Sequence, residues 1–274
     1  MTDMKKALSI AACCLAGFTV QAQAQNNYSL YVSEGTSGGL DAAQVIEKYT
    51  GLAEVMGKAL GKKVTVVVAR EFSQLEEGMK AGKMDFVIAR PSDYPARGIR
   101  DYKYQLVSTS KPDGQCVLIV PKASPLKSIA DVKGKRIALP EKISYMSKFC
   151  SAELTHNGFN LATEKIQYAK EQGAVLFYLD NLLADVGGIA SYSGVAKNLE
   201  KTGHRVIHTS QPQPYQPLIA HPKITAAQIQ ALKKELGQLD ETEAGKPTLK
   251  QIGIKEFDTG NNEQRLRDLL KWLG

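Results

Sequence analysis

The chain has 274 residues, 43% hydrophobic and 23% charged, room for one large domain or for two lobes of about 100–150 residues each. That balance excludes collagen-like, intrinsically disordered and polytopic membrane classes. The formal charge of +7 comes from 35 basic and 28 acidic residues spread without a dense Lys/Arg block. It argues against nucleic-acid binding and leaves a mild positive field that suits a small anion.

Lys5 and Lys6 precede an apolar run over 7–20, and Gln21-Ala22-Gln23-Ala24 puts small residues at the two positions a signal peptidase reads. Residues 1–24 therefore read as a secretory signal peptide, and the mature protein is expected to be periplasmic. The run is shorter than the roughly 20 residues that span a bilayer. Past it, an alternating strand over 28–33 meets the flexible turn Glu34-Gly35-Thr36-Ser37-Gly38-Gly39. From Asp41, the apolar positions Val45, Tyr49, Leu52, Ala53, Met56 and Leu60 have helical spacing, stopped by Gly61. A β-branched strand at 64–68, a helix opened by a Ser73-x-x-Glu76 capping box and a buried strand at 85–89 complete a β-α-β-α-β order. That order predicts an α/β fold with a mostly parallel sheet covered on both faces.

Further strands are predicted at 104–108, 115–120, 136–139, 166–169, 185–189, 205–208 and 218–220. Helices are predicted near 147–157, 174–183, 225–239, 244–251 and 262–273, with Thr225-x-x-Gln228 as a second capping box. Proline-punctuated stretches at 121–125 and 211–217 read as crossings between two lobes. The expected organisation is a first lobe over 25–118, a second over 119–214 and a return to the first over 215–274. A ligand would sit in the cleft between them.

No phosphate-binding glycine loop with its lysine and no C-x-x-C motif occurs, and His204 and His208, four apart, flank an apolar Val-Ile strand and so do not share a helix face. No carboxylate pair stands out as general acid and base. The weight moves to a non-enzymatic binding protein without a cofactor. The mature chain keeps Cys116 and Cys150. In an exported protein they can form a disulfide, remain inert thiols or, with Met146 one turn before Cys150, make a soft-ligand set for Cu(I) or trivalent arsenic.

Several segments carry a family resemblance. Residues 52–64, with Leu60-Gly61-Lys62-Lys63-Val64 at their end, are similar to the first helix and exit of the periplasmic phosphate/phosphite/phosphonate-binding proteins of ABC importers. Gly82-Lys83-Met84-Asp85-Phe86-Val87-Ile88-Ala89-Arg90-Pro91-Ser92-Asp93-Tyr94 resembles that family's strand-and-turn. The run Lys122-Ala123-Ser124-Pro125-Leu126-Lys127-Ser128-Ile129-Ala130-Asp131-Val132-Lys133-Gly134-Lys135 resembles its most specific segment. Residues 244–257 resemble its C-terminal stretch. The resemblance implies a type II, two-lobed binding-protein fold. It also implies a small, anionic ligand such as a phosphate- or phosphonate-like oxyanion, and delivery to a membrane permease. A periplasmic sensor presenting its ligand, arsenite included, to a sensor kinase is the alternative on the same fold; a transferase is the alternative from another class. A monomer is expected.

The family's Ser-Thr-Ser run at a helix N-terminus, where free amides favour anions, aligns with Ile143-Ser144-Tyr145-Met146-Ser147. Tyr145 replaces a small hydroxyl residue there and Met146 a glycine. The family's phosphonate-contacting histidine falls on Gln172, and the glycine of its Gly-Pro turn is Arg90. Arg90 ends a strand at the presumed cleft and offers a rigid fork of donors to an oxyanion. The expected ligand set is Arg90, Ser92, Tyr94, Ser144, Tyr145, Ser147, Gln172 and Tyr192. Tyr192 follows a Gly187-Gly188 pair that would admit close backbone approach.

Overall fold

A computed structural model describes residues 27–35 and 39–274. The signal peptide read at 1–24 and the centre of the glycine turn lie outside the described residues.

The chain builds β1 (Asn27–Ser33), α1 (Ala42–Leu60), β2 (Lys63–Val68), α2 (Phe72–Lys80), β3 (Phe86–Ala89), α3 (Asp93–Tyr102) and β4 (Gln105–Gly114) before leaving the first sheet. It continues with β5 (Cys116–Pro121), β6 (Arg136–Pro140), α4 (Tyr145–His156), β7 (Lys165–Ala169), α5 (Gln172–Asp180), β8 (Val186–Ala190), α6 (Gly194–Lys197) and β9 (His204–Thr209). It returns through β10 (Gln213–Ala220), α7 (Ala226–Gly237), α8 (Gly245–Ile252), β11 (Glu256–Asp258) and α9 (Glu263–Leu273). The first sheet has the order β11-β4-β10-β3-β1-β2 and the second β7-β6-β8-β5-β9. This is a two-lobed α/β fold with helices against each sheet.

Both sheets are mixed. β1 runs parallel to β2 and β3, and β6 to β7 and β8, as βαβ units require. β10 enters antiparallel between β3 and β4, and β5 antiparallel between β8 and β9. β5 and β10 each follow a crossing between lobes, where no crossover helix sets the direction, and the short β11 adds a further antiparallel pairing to β4.

The crossings differ from the sequence expectation. The first is at Gln115, not within 121–125, so Cys116, Val117 and Leu118 pair with β8 and β9 of the second lobe despite the boundary drawn at 118. Pro121 is only the last residue of β5, a place where a missing N–H is tolerated. The return is at 210–212. The proline-rich stretch after it is strand, made possible by register shifts between Gln213 and Leu218 that let β10 bulge around Pro214 and Pro217. The two passages are joined: Gln115 Nε2 donates to the Ser210 carbonyl at 2.7 Å, and the Cys116 amide to Ser210 Oγ at 2.9 Å.

Local chemistry explains most helix starts. Asp41 with Gln44 and Thr225 with Gln228 form capping boxes at α1 and α7. α2 opens earlier than expected, on Glu71 with Gln74, not on Ser73 with Glu76. α3 has no counterpart among the predicted helices, because Pro95 disguises it; proline in a first turn removes a donor that has no intrahelical acceptor anyway. Gly187 and Gly188 serve packing: a Cβ would come within 2.6 Å of Val175 on α5 at the first and 2.5 Å of Leu139 on β6 at the second. Under the seam, α9 bridges the lobes. Trp272 packs on Phe149 of α4 at 4.6 Å between ring centroids, and its carbonyl meets His156 Nε2 at 2.9 Å.

Candidate functional site

Strand β3 is buried along its whole length and delivers Arg90 at its C-terminal end, beside the C-terminal end of the parallel β1. Carboxyl ends of parallel strands are where open α/β sheets place ligands. β1 contributes Glu34, which is 7% exposed. One Glu34 oxygen meets Arg90 Nη2 at 2.7 Å and Lys48 Nζ at 3.0 Å. The other accepts from the Tyr49 hydroxyl. Burial alone would raise the Glu34 pKa, but Arg90, Lys48 and the Tyr49 hydrogen bond outweigh it and hold the carboxyl below its ordinary value. The group carries two cations against one anion.

The second lobe closes over Arg90 with Tyr192, whose ring centroid is 5.7 Å from the guanidinium carbon. Tyr192 stacks on Tyr215 of β10 at 4.2 Å, so one aromatic pair joins the two lobes directly. Burial pushes the Tyr215 hydroxyl up to about 12 and those of Tyr49, Tyr145 and Tyr192 well above the ordinary phenol value. All four are neutral donors at neutral pH. The Arg90 Nε is buried and has no hydrogen-bond partner.

Next to Tyr215, Gln216 is 1% exposed and stands at φ +47°, a left-handed conformation that non-glycine residues rarely adopt. Its amide N–H donates to Ser92 Oγ at 3.2 Å, its carbonyl accepts from Ser110 Oγ at 3.3 Å, and its Nε2 donates to the Tyr49 hydroxyl. Three hydrogen bonds thus tie Glu34, Tyr49, Gln216 and Ser92 into one buried chain around Arg90.

The residues expected from sequence separate into two groups. Arg90, Ser92, Tyr145 and Tyr192 meet at the seam. Ser92 is fully buried, and the Tyr145 hydroxyl lies close to it without a hydrogen bond of good geometry. The others hold scaffold. Ser144 caps α4 by accepting from the Ser147 amide at 3.2 Å, and Ser147 donates to the Pro140 carbonyl. Gln172 Oε1 accepts from the Ala190 amide at 2.7 Å, which pins α5 to the end of β8. Tyr94 stacks on Phe72 at 5.0 Å and carries Arg97 and Lys148 over its ring. Glu34, Lys48, Tyr49, Tyr215 and Gln216 were not anticipated. In the sequence Glu34 reads as part of the flexible turn, Tyr49 as an apolar position of the first helix, and Tyr215 and Gln216 as part of a crossing between lobes.

Cys116 and Cys150 are joined by a disulfide that ties β5 to α4, and both are fully buried. With both sulfurs in that bond, the soft-ligand reading of Cys116, Met146 and Cys150 has no thiolate to stand on. Among the described residues no group of three or more His, Cys, Asp or Glu side chains is placed to hold a metal. A wide groove of about 990 Å³ lies at the other side of α4, against α3 and α9. Its Arg97, Arg100, Lys148 and Lys271 are each paired with a carboxylate. Asp93 Oδ1 and Arg97 Nε there are also buried without a hydrogen bond, but Arg97 Nε lies 3.4 Å from a Glu76 carboxylate oxygen and Asp93 is ion-paired through its other oxygen.

Residues 39–264 match the protein family described as the periplasmic substrate-binding protein of the phosphonate ABC transporter. Solved structures share the fold at low identity. A Xanthomonas citri protein bound to chloride ion is 16% identical with a TM-score of 0.73, over 90% of this chain and 97% of that one. PhnD1 from Prochlorococcus marinus in complex with methylphosphonate is 12% identical with a TM-score of 0.70, over 90% and 97%. A binding-protein component of a phosphonate ABC transporter from Pseudomonas aeruginosa is 12% identical with a TM-score of 0.62, over 91% and 94%.

Proposed function

The chain belongs to the periplasmic substrate-binding proteins of phosphonate ABC transporters, and from that premise we propose that its Arg90 cluster captures a small phosphorus oxyanion between the lobes. The reading continues with a monomer that closes on this ligand and presents it to a membrane permease. A phosphate- or phosphonate-like anion is the class that fits, since the cluster holds Arg90 and Lys48 against the single carboxylate Glu34.

The observation that carries the reading is the guanidinium itself. Arg90 is held on one side by Glu34, faces Tyr192 across the seam and Tyr215 of its own lobe, and keeps a buried Nε–H without an acceptor. An anionic oxygen at that place would accept from Arg90 in a water-poor setting, where a charge-assisted hydrogen bond is strong. Tyrosine hydroxyls from both lobes would add neutral donors, so binding would favour closure.

Isothermal titration of the protein with methylphosphonate, phosphite and inorganic phosphate tests this. Saturable one-to-one binding, lost in Arg90→Gln and partly kept in Arg90→Lys, is expected. Equal binding by wild type and Arg90→Gln would refute the assignment to this cluster. A sensing role would show instead as a kinase domain, not a permease, retained on the liganded protein.

A further inference from the structure

The cluster contains a second unsatisfied atom, of opposite character to Arg90 Nε. Glu34 is an ionised carboxylate and only accepts, so the single proton of the Tyr49 hydroxyl is committed to it. The Gln216 side chain must then meet the Tyr49 oxygen with its N–H₂. The reverse orientation would set a carbonyl oxygen against a hydroxyl oxygen with no proton left to give. The chain Glu34–Tyr49–Gln216 therefore ends on the Gln216 Oε1 as its free acceptor, and that atom is buried without any donor. The strained backbone at Gln216, held by Ser92 on its amide and Ser110 on its carbonyl, keeps it there.

A buried acceptor and a buried donor thus stand unpaired in one network, and they do not pair with each other. Each is costly to leave unmade. A ligand that offers only acceptors satisfies Arg90 and places an anionic oxygen against the Gln216 carbonyl. A ligand that offers an acceptor and a hydroxyl proton satisfies both. The charge agrees: Arg90 and Lys48 exceed Glu34 by one positive charge. Asp93 and Glu76, the next carboxylates along, are matched by Arg97 and Lys148.

We propose that Gln216 is a specificity-determining residue that reads the P–OH proton, so that this site selects the singly charged, protonated form of a phosphorus oxyanion over isosteric anions without a hydroxyl. This rests on the Arg90 cluster being the ligand site and adds which anion it takes. The ligand's hydroxyl donates to Gln216 Oε1 while its ionised oxygen accepts from Arg90 Nε.

Methylphosphonate and methanesulfonate separate the two ideas. Below methylphosphonate's second ionisation both are tetrahedral monoanions bearing one methyl group, and they differ in the hydroxyl. Methanesulfonate is expected to bind the wild-type protein roughly 10- to 100-fold more weakly. In Gln216→Met, which keeps the volume and removes the acceptor, the two affinities should converge to within about threefold through weaker methylphosphonate binding. Should that variant not fold, Gln216→Asn, which draws the carbonyl back by one carbon, takes its place, and the wild-type comparison stands by itself. Equal wild-type affinities overturn the selection for a hydroxyl and leave the anion site intact. A preference that survives in the Gln216 variant overturns the role of Gln216. Failure of both anions to bind overturns the Arg90 reading and this inference with it.

Discussion

On the second-lobe wall of the seam, Ser144, Ser147 and Gln172 each hold a backbone group of their own scaffold: an amide in the first turn of α4, the Pro140 carbonyl and the Ala190 amide. On the first-lobe wall, Arg90 and Gln216 are anchored at one end, by Glu34 and Tyr49, and carry an unpartnered atom at the other. Both walls are polar and buried. Apart from the unpartnered Tyr145 hydroxyl on the second-lobe wall, the difference is whether the polar groups are already satisfied, and that is what separates a structural hydroxyl from a ligand-binding one. Residue type at a helix start does not decide it, because a serine there serves as N-cap equally well.

The sharpest way to break this contrast is to strip the first-lobe wall. Arg90→Gln should weaken methylphosphonate binding by about two orders of magnitude or more, from loss of a buried charge-assisted contact of roughly 2–5 kcal/mol, read by titration calorimetry. Next in size is the second lobe's own staple. Replacing Cys116 and Cys150 together by serine opens a link across 34 residues and should lower stability by about 3–4 kcal/mol in denaturant unfolding. Binding by the folded protein should survive, since neither sulfur belongs to the Arg90 cluster. A loss of binding larger than the loss of stability would mean that the second-lobe wall contributes more than scaffold.

Acid unfolding probes the carboxylate between the two cations. Burial opposes its charge, while Arg90 and Lys48 favour it and prevail, so its folded pKa lies below its unfolded one. Its stabilising contribution is therefore present at and above the ordinary carboxylate range and fades as the pH falls through the depressed folded value. Glu34→Gln should be less stable than wild type by about 3 kcal/mol at neutral pH, and the two should converge toward strongly acid pH. A constant gap would place the effect in packing. The smallest effects belong to the satisfied wall: Ser144→Ala and Gln172→Ala should each lower stability by about 1 kcal/mol and leave methylphosphonate affinity within about twofold.

Legibility followed the range of the interaction. Helical spacing from Val45 to Leu60 and the Thr225–Gln228 box are written within a few residues, and both elements formed as read. Arg90 was legible because it ends a buried strand, and Tyr192 because it follows one. Glu34 was not, although it lies one residue past β1, since its partners Lys48, Tyr49 and Arg90 are 14 residues away or more. Gln216 was hidden by the prolines around it, which suggested a hinge where the structure has a bulged strand.

By itself, the order of strands and helices determined an α/β protein of two lobes, because apolar periodicity and capping act between near neighbours in the chain. The family resemblance added the oxyanion-importing class. Only the tertiary structure decided where the crossings fall, that Cys116 meets Cys150, and which polar groups at the seam are left unpaired. Satisfaction of a buried donor or acceptor depends on atoms brought from distant segments, and no local pattern records whether such a partner arrives.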